Sequence, residues 1–130
     1  MRIIVADHHE QPRLALKALL EEQPEFDLIG EAMDGQGLLM LAEKHISDLI
    51  LLDGELPELS IEELITQLHA LDPRPVVIAM SSMFENSRML LKAGADAYVS
   101  KVDEPDWLLG KLHKYAKQIR MRTETGASER

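Results

Sequence analysis

Leu49-Ile50-Leu51-Leu52-Asp53 is the clearest indication of the fold of this chain. Four aliphatic residues in succession end at an acid, whereas a strand with one solvated face would alternate apolar and polar residues. A run that is apolar at every position is typical of a parallel sheet, because helices cover both of its faces. The stretch therefore predicts a buried parallel strand with Asp53 at its carboxyl end.

Similar apolar runs occur four more times, and a longer stretch with helical spacing follows each of them. The other runs are residues 3–6, 26–30, 76–80 and 97–99. Repeated strand-then-helix order predicts an α/β fold, a single three-layer doubly wound domain with helices on both faces of the sheet. Ser60 and Ser82 each precede an acid by three residues, so we expect both to cap helices.

The composition limits the chemistry that is open to the chain. It has 130 residues, 45% of them hydrophobic and 28% charged, which indicates one globular domain. Cysteine is absent, which excludes thiolate chemistry and fits a cytoplasmic location. A net charge of −9 disfavours direct binding of nucleic acid by this domain, and no apolar run is long enough for a membrane span. We expect residues 1–120 to fold and residues 121–130 to form a flexible tail or the start of a linker.

Chemically useful side chains follow four of the predicted strands. Their residues are Asp7, Asp53, Ser81 and Lys101. In a parallel sheet these positions meet at one edge, where ligands bind in open α/β folds. Two close carboxylates favour a divalent cation such as Mg²⁺, while a lysine and a serine hydroxyl can contact a phosphoryl group. Each residue alone is more often a turn, a cap or a surface charge, so the prediction depends on their joint placement.

The same residues resemble a known family. The motifs are Asp7, the run Asp48–Asp53 followed by Pro57, Ser81, and the run Gly94–Lys101. Together they are similar to the receiver domain of two-component response regulators, over about residues 1–120. The stretch Ile29–Gly35 resembles the subgroup that often carries a C-terminal helix-turn-helix output. The resemblance implies a flavodoxin-like fold with five parallel strands in the order 2-1-3-4-5.

The resemblance also implies roles for individual residues. Asp53 would accept a phosphoryl group from a histidine kinase or phosphotransfer protein, Ser81 would bond a phosphoryl oxygen, and Lys101 would contact the phosphorylated side chain. Asp7, Asp53 and the backbone carbonyl of Glu55 would bind Mg²⁺. Ser81 and Tyr98 would form the switch on the face of the fourth helix, fifth strand and fifth helix, where a homodimer could form. Such a domain is a signalling module and not an enzyme.

His8 is the main departure from the family pattern, because it stands where the family usually has a second acid that binds the metal. Imidazole is a poorer partner than oxygen for Mg²⁺, so His8 as a ligand predicts weak Mg²⁺ binding or use of Mn²⁺. The first hypothesis is a phosphoacceptor receiver with an altered metal site. The second is a degenerate receiver that acts as a phosphorylation-independent interaction module. The third is a zinc or manganese site made from Asp7, His8, His9 and Asp53.

The remaining histidines and aromatic residues carry weaker predictions. His45, His69 and His113 fall on predicted helices with no evident partner and are interpreted as surface residues. Trp107 and Tyr115 lie at helical spacing with leucines, which indicates core or interface positions and not a ligand site.

Overall fold

The computed structural model describes residues 1–57, 60–102 and 104–126. Within these ranges, strands and helices alternate as the sequence predicts, with a short 3-10 turn at Phe84–Asn86 before the fourth helix. The elements are β1 (Arg2–Ala6), α1 (Glu10–Glu21), β2 (Asp27–Ala32), α2 (Gly35–Lys44), β3 (Leu49–Asp53), α3 (Ile61–His69), β4 (Val76–Ser81), α4 (Ser87–Lys92), β5 (Ala97–Ser100) and α5 (Pro105–Gly126).

The strands form one parallel five-stranded sheet in the order β2-β1-β3-β4-β5, which confirms the predicted topology. β3 lies at its centre and is buried along its whole length. Ile50 and Leu52 pack into the core beneath α2, α3 and α4, while Leu49 and Leu51 pack into the core beneath α1 and α5. The uniformly apolar run of β3 is therefore explained by helices on both faces of the sheet.

Capping residues set the starts of two helices. The Oγ of Ser60 accepts a hydrogen bond from the Glu63 backbone N–H at 3.1 Å, which confirms the predicted cap of α3. Asp34 caps α2 in the same way, accepting from the Gly37 N–H at 2.7 Å. The cap predicted at Ser82 is wrong. The 3-10 turn intervenes, α4 begins only at Ser87, and the turn has no side-chain cap.

Helix α5 continues to Gly126, beyond the point where the tail was predicted to begin at residue 121. Residues 127–130 lie outside the described residues, and the division of the chain at residue 120 stays a prediction. Among the described residues, no helix combines the length and apolarity that a bilayer span requires.

Two histidines that the sequence left without partners form ion pairs. His69 Nε2 lies 2.9 Å from Asp96 Oδ2, and His113 Nδ1 lies 2.8 Å from Glu25 Oε1. The first pair joins the end of α3 to the loop before β5, and the second joins α5 to the loop after α1. His113 is exposed and His69 is half-buried, and their partners were not evident because both acids are distant in sequence.

Candidate functional site

The carboxyl edge of the sheet brings the predicted residues together. Asp7 directly follows β1, Asp53 ends β3, Ser81 ends β4, and Lys101 directly follows β5. Strand register explains this convergence, because Ala6 pairs with Leu52 and Ser81 pairs with Ser100 in adjacent parallel strands. The side chains therefore reach one pocket at the end of the sheet.

Asp7 and Asp53 are buried carboxylates, with exposed fractions of 0% and 1%. Asp7 Oδ1 accepts a hydrogen bond from the His9 backbone N–H at 2.8 Å, and Asp53 Oδ1 accepts one from the Glu55 N–H at 3.1 Å. The other oxygen of each carboxylate, Oδ2, is buried and accepts no hydrogen bond from the backbone of the described residues. Burial of such oxygens is costly without a charge partner, so the pocket favours a cation.

Lys101 supplies a cation in this structure. Its Nζ lies 2.8 Å from Asp7 Oδ2 and 3.4 Å from Asp53 Oδ2, so the ammonium forms ion pairs with both buried oxygens. The side chain is largely buried, which strengthens these contacts relative to a surface ion pair. One positive charge nevertheless faces two carboxylates, and further positive charge would stabilise the pocket.

The two carboxylates differ in acidity. Burial raises the pKa of Asp53 above its ordinary value; the Glu55 N–H and Lys101 oppose this rise, and the nearby Asp7 carboxylate adds to it. Burial also acts to raise the pKa of Asp7, but Lys101 and the His9 N–H together hold it below its ordinary value. Asp53 is therefore the more basic carboxylate, which makes it the better nucleophile of the two when ionised.

His9 joins the pocket although its neighbour His8 does not. The His9 Nδ1 lies 3.4 Å from Asp7 Oδ1 and 3.7 Å from Asp53 Oδ2. Ligand atoms of Asp7, His9 and Asp53 all lie within 4.8 Å of one another. His8 is exposed, and its ring packs edge-on against His9 at a centroid distance of 4.9 Å. The sequence drew attention to His8, while the structure brings the next histidine to the carboxylates.

Backbone geometry explains why His9 points to the pocket. His9 is the N-cap of α1, with extended dihedral angles of φ −89° and ψ 126°, and makes no side-chain cap bond. Asp7 Oδ1 accepts a hydrogen bond from the backbone N–H of His9, two residues later in the chain. This turn folds the chain back over the end of β1. A helix start directly after a strand was the only sequence signal for this placement.

Ser81 is held by the loop that follows β4. Its Oγ accepts hydrogen bonds from the Met83 N–H and from Asn86 Nδ2, each at 3.1 Å. The Tyr98 hydroxyl donates to the Ser81 carbonyl at 3.0 Å and also lies 3.4 Å from the Met83 carbonyl. The predicted switch residues Ser81 and Tyr98 are therefore joined through one loop. No sequence pattern indicated a role for Asn86.

Gly54 places the backbone beyond Asp53 against helix α4. Its N–H donates to the Met80 carbonyl at 2.8 Å. A Cβ at this position would lie only 2.8 Å from Leu90 Cδ2, and Leu90 is fully buried. The loop after Asp53 can therefore pack this closely only because residue 54 has no side chain.

Comparison with known proteins agrees with this geometry. Residues 3–113 match the family model of the response regulator receiver domain. The nitrate/nitrite response regulator protein NarL of Escherichia coli K12 is 37% identical over 116 residues, which are 88% of this chain and 54% of that protein. The chain thus spans about half the length of the curated relatives it matches.

Solved receiver domains share the fold. The receiver domain of Francisella response regulator 1452 is 27% identical, with a TM-score of 0.77 over 91% of this chain and 98% of that one. The receiver domain of the Pseudomonas aeruginosa sensor histidine kinase PA1611 is 22% identical, with a TM-score of 0.79 over 89% and 97% of the two chains. That protein has a magnesium ion coordinated in its active site cleft. The predicted family is confirmed: the chain belongs to the response regulator receiver domains of two-component signalling.

Proposed function

We propose that Asp53 accepts a phosphoryl group from a phosphohistidine on a histidine kinase or phosphotransfer protein. The observation that carries the proposal is the unequal use of the two Asp53 oxygens. Oδ1 is fixed by the Glu55 N–H, whereas Oδ2 accepts no hydrogen bond and faces Lys101 at 3.4 Å. Oδ2 is therefore the oxygen available to attack phosphorus.

The step balances without another reactant. Asp53 Oδ2 forms a bond to phosphorus while the bond from phosphorus to the donor's imidazole nitrogen breaks, which gives an acyl phosphate. The donor ring carries a proton on its other nitrogen, so it leaves as neutral imidazole. Lys101 lies where its ammonium can offset negative charge on the transferred group. Asp7 keeps a second carboxylate beside the reacting oxygen. Charge on both the pocket and the incoming group therefore has to be neutralised.

The pocket fits a divalent cation for this purpose, because two buried carboxylates share one lysine ammonium among the described residues. Asp7, Asp53 and the backbone carbonyl of Glu55 would hold the ion. When bound, a divalent ion supplies positive charge to the phosphoryl oxygens. Glu55 already lies at the pocket through its N–H contact with Asp53. Mg²⁺ is the cation that the family resemblance implies.

The switch would begin at Ser81. To donate to a phosphoryl oxygen, its hydroxyl would have to turn its proton away from the Met83 carbonyl, which lies 3.4 Å from Oγ. The bonds that Oγ accepts from the Met83 N–H and from Asn86 Nδ2 would change with it, and the loop that carries both residues would move. The Tyr98 hydroxyl donates hydrogen bonds to carbonyls of the same loop, so its ring would shift together with that loop. A signal in the pocket would thus reach the face of α4, β5 and α5.

That face carries exposed aromatic residues suited to a partner. Phe84 is 74% exposed and Trp107 69% exposed, and the Phe84 ring lies edge-on to Tyr98 with centroids 6.5 Å apart. Large exposed aromatic residues are common in protein interfaces. We propose this face as the contact surface for a second copy of the domain. We also propose that a helix-turn-helix output domain adjoins the receiver in the cytoplasmic protein.

Phosphorylation-independent interaction has less support as the function of this chain. Asp53, Ser81 and Lys101 lie together at the carboxyl edge of the sheet, which supports phosphoryl transfer, and Asp53 Oδ2 accepts no hydrogen bond from the described residues. A module that served only for protein contact would not need a buried, charged pocket, which is costly to maintain.

The test uses a small acyl phosphate donor and intact mass spectrometry. Wild type with a divalent cation should gain the mass of one phosphoryl group, and Asp53→Asn should gain none. Asp27→Asn is the matched control, because Asp27 is an exposed acid on β2, far from this edge of the sheet. An addition that persists in Asp53→Asn, or no addition to wild type, would refute the proposal.

A further inference from the structure

We infer that the pocket binds a transition-metal dication in preference to Mg²⁺, with the His9 imidazole as a direct ligand beside Asp7 and Asp53. These three residues are called the His9 site. The inference deepens the proposed function by naming the cation of the same pocket. It needs no phosphoryl transfer to be correct.

The spacing of the ligand atoms fits one metal ion. A dication about 2.1 Å from nitrogen and oxygen ligands holds neighbouring ligands about 3.0 Å apart in octahedral and about 3.4 Å apart in tetrahedral geometry. His9 Nδ1 lies 3.4 Å from Asp7 Oδ1 and 3.7 Å from Asp53 Oδ2. The imidazole therefore lies within reach of an ion shared with both acids, since ligand atoms of all three residues lie within 4.8 Å of one another. During phosphoryl transfer Asp53 would hold that ion through Oδ1, which leaves Oδ2 to attack phosphorus.

An independent observation shows that the pocket lacks positive charge. The Oδ2 atoms of Asp7 and Asp53 are buried, and among the described residues one lysine ammonium, that of Lys101, lies near both of them, at 2.8 and 3.4 Å. Buried carboxylates of this kind are normally paired or coordinate a metal. The His9 side chain is 51% exposed, so solvent can reach the pocket. A bound ion would therefore have room for water or a phosphoryl oxygen as a further ligand.

The ligand types decide which metal is preferred. Mg²⁺ is a hard ion that takes oxygen ligands and gives up its waters reluctantly. Imidazole binds manganese, cobalt, nickel and zinc ions more strongly than it binds Mg²⁺. Because the family's second acid is His8 here, the chain has lost an oxygen donor next to Asp7. His9 supplies a nitrogen donor at the same pocket.

The contrary interpretation is that His9 only opens helix α1 and pairs as a cation with the two acids. It then competes with metal ions and does not bind them. The two interpretations predict opposite effects of removing the imidazole. Removing it weakens transition-metal binding if His9 is a ligand and strengthens all cation binding if His9 is a competing charge.

The experiment measures metal binding by the metal-free protein without any phosphodonor. Calorimetry with Mg²⁺, Mn²⁺ and Co²⁺ gives the affinities, and the visible absorption of Co²⁺ reports nitrogen ligation. We expect wild type to bind Co²⁺ at least about tenfold more tightly than Mg²⁺. His9→Ala should remove most of that preference and weaken the Co²⁺ bands.

His8→Ala is the matched control, because His8 is an adjacent histidine on the surface outside the His9 site. It should leave the Co²⁺ preference and spectrum unchanged. An equal loss in His8→Ala and His9→Ala, or no loss in His9→Ala, would overturn the inference. Metal preference without phosphorylation of Asp53 would refute the proposed function alone, and phosphorylation with Mg²⁺ preferred in wild type would refute this inference alone.

Discussion

Replacing Asp53 with asparagine should stabilise the metal-free protein at neutral pH. The carboxylate is 1% exposed, lies beside Asp7, and has one oxygen that accepts no hydrogen bond. Asparagine has nearly the same shape, and its carbonyl oxygen can still accept the Glu55 N–H. The substitution removes a charge that is costly to bury, and it also gives up the 3.4 Å ion pair with Lys101.

The direction of the pKa shift sets the sign of this effect. Because burial raises the pKa of Asp53, the folded protein keeps a proton that the unfolded chain has already lost. The stability of wild type therefore falls as pH rises from the unfolded pKa through the folded pKa of Asp53. The destabilising effect of the Asp53 charge is absent below the pKa of this residue in the unfolded chain and complete above its pKa in the folded protein. The lowered pKa of Asp7 has the opposite effect at more acidic pH, and Asp7 is present in both proteins.

Removal of a buried charge that the fold compensates only in part is worth about 1–4 kcal/mol, and loss of the ion pair with Lys101 offsets part of the gain. We expect Asp53→Asn to raise the free energy of unfolding by about 1–2 kcal/mol at neutral pH. Urea denaturation in the presence of a chelator measures it, with the exposed-acid variant Asp27→Asn as the control. The gain should vanish at acidic pH and shrink when a divalent cation is added. Equal or lower stability of Asp53→Asn in chelator would refute the electrostatic account of the pocket.

Two further predictions concern the loops around the pocket. Gly54→Ala should lower the free energy of unfolding by about 1–3 kcal/mol, because its Cβ would meet the buried Leu90. Gly110→Ala is the control: residue 110 lies on α5 with open space around it, so the change should be neutral or stabilising in the same urea titration. Asn86→Ala removes one donor to Ser81 Oγ, which should increase the phosphorylated protein's switched population about two- to tenfold. Amide chemical shifts of Ser81 measure that population, and unchanged shifts would show that Asn86 does not hold the switch.

The arrangement of the strands could be predicted because it depends on patterns local to the sequence. The uniformly apolar run 49–52 predicts a doubly covered strand, and helices between successive runs predict parallel order. Once strands are parallel, residues at their carboxyl ends share one edge. The meeting of Asp7 and Asp53 therefore followed from the order of elements, without knowledge of any side-chain contact.

The missed features depend on side-chain direction and on distant partners. His9, which opens α1, faces the pocket because of its backbone dihedral angles. The sequence does not specify those angles, so it could not show which of the two adjacent histidines would face the pocket. Because of the 3-10 turn at Phe84–Asn86, α4 begins later than predicted and Asn86 lies within hydrogen-bonding distance of Ser81. The His69–Asp96 pair joins residues far apart in sequence. Such contacts arise only after the sheet has positioned its loops.

Asp53 is the residue that we propose carries the phosphoryl group. Borohydride treatment of the phosphorylated protein reduces an acyl phosphate to an alcohol, and peptide mass spectrometry then locates the altered residue. We predict one altered site, at position 53, that depends on both the phosphodonor and a divalent cation. Alteration at another acid, or none with any cation, would contradict the claim.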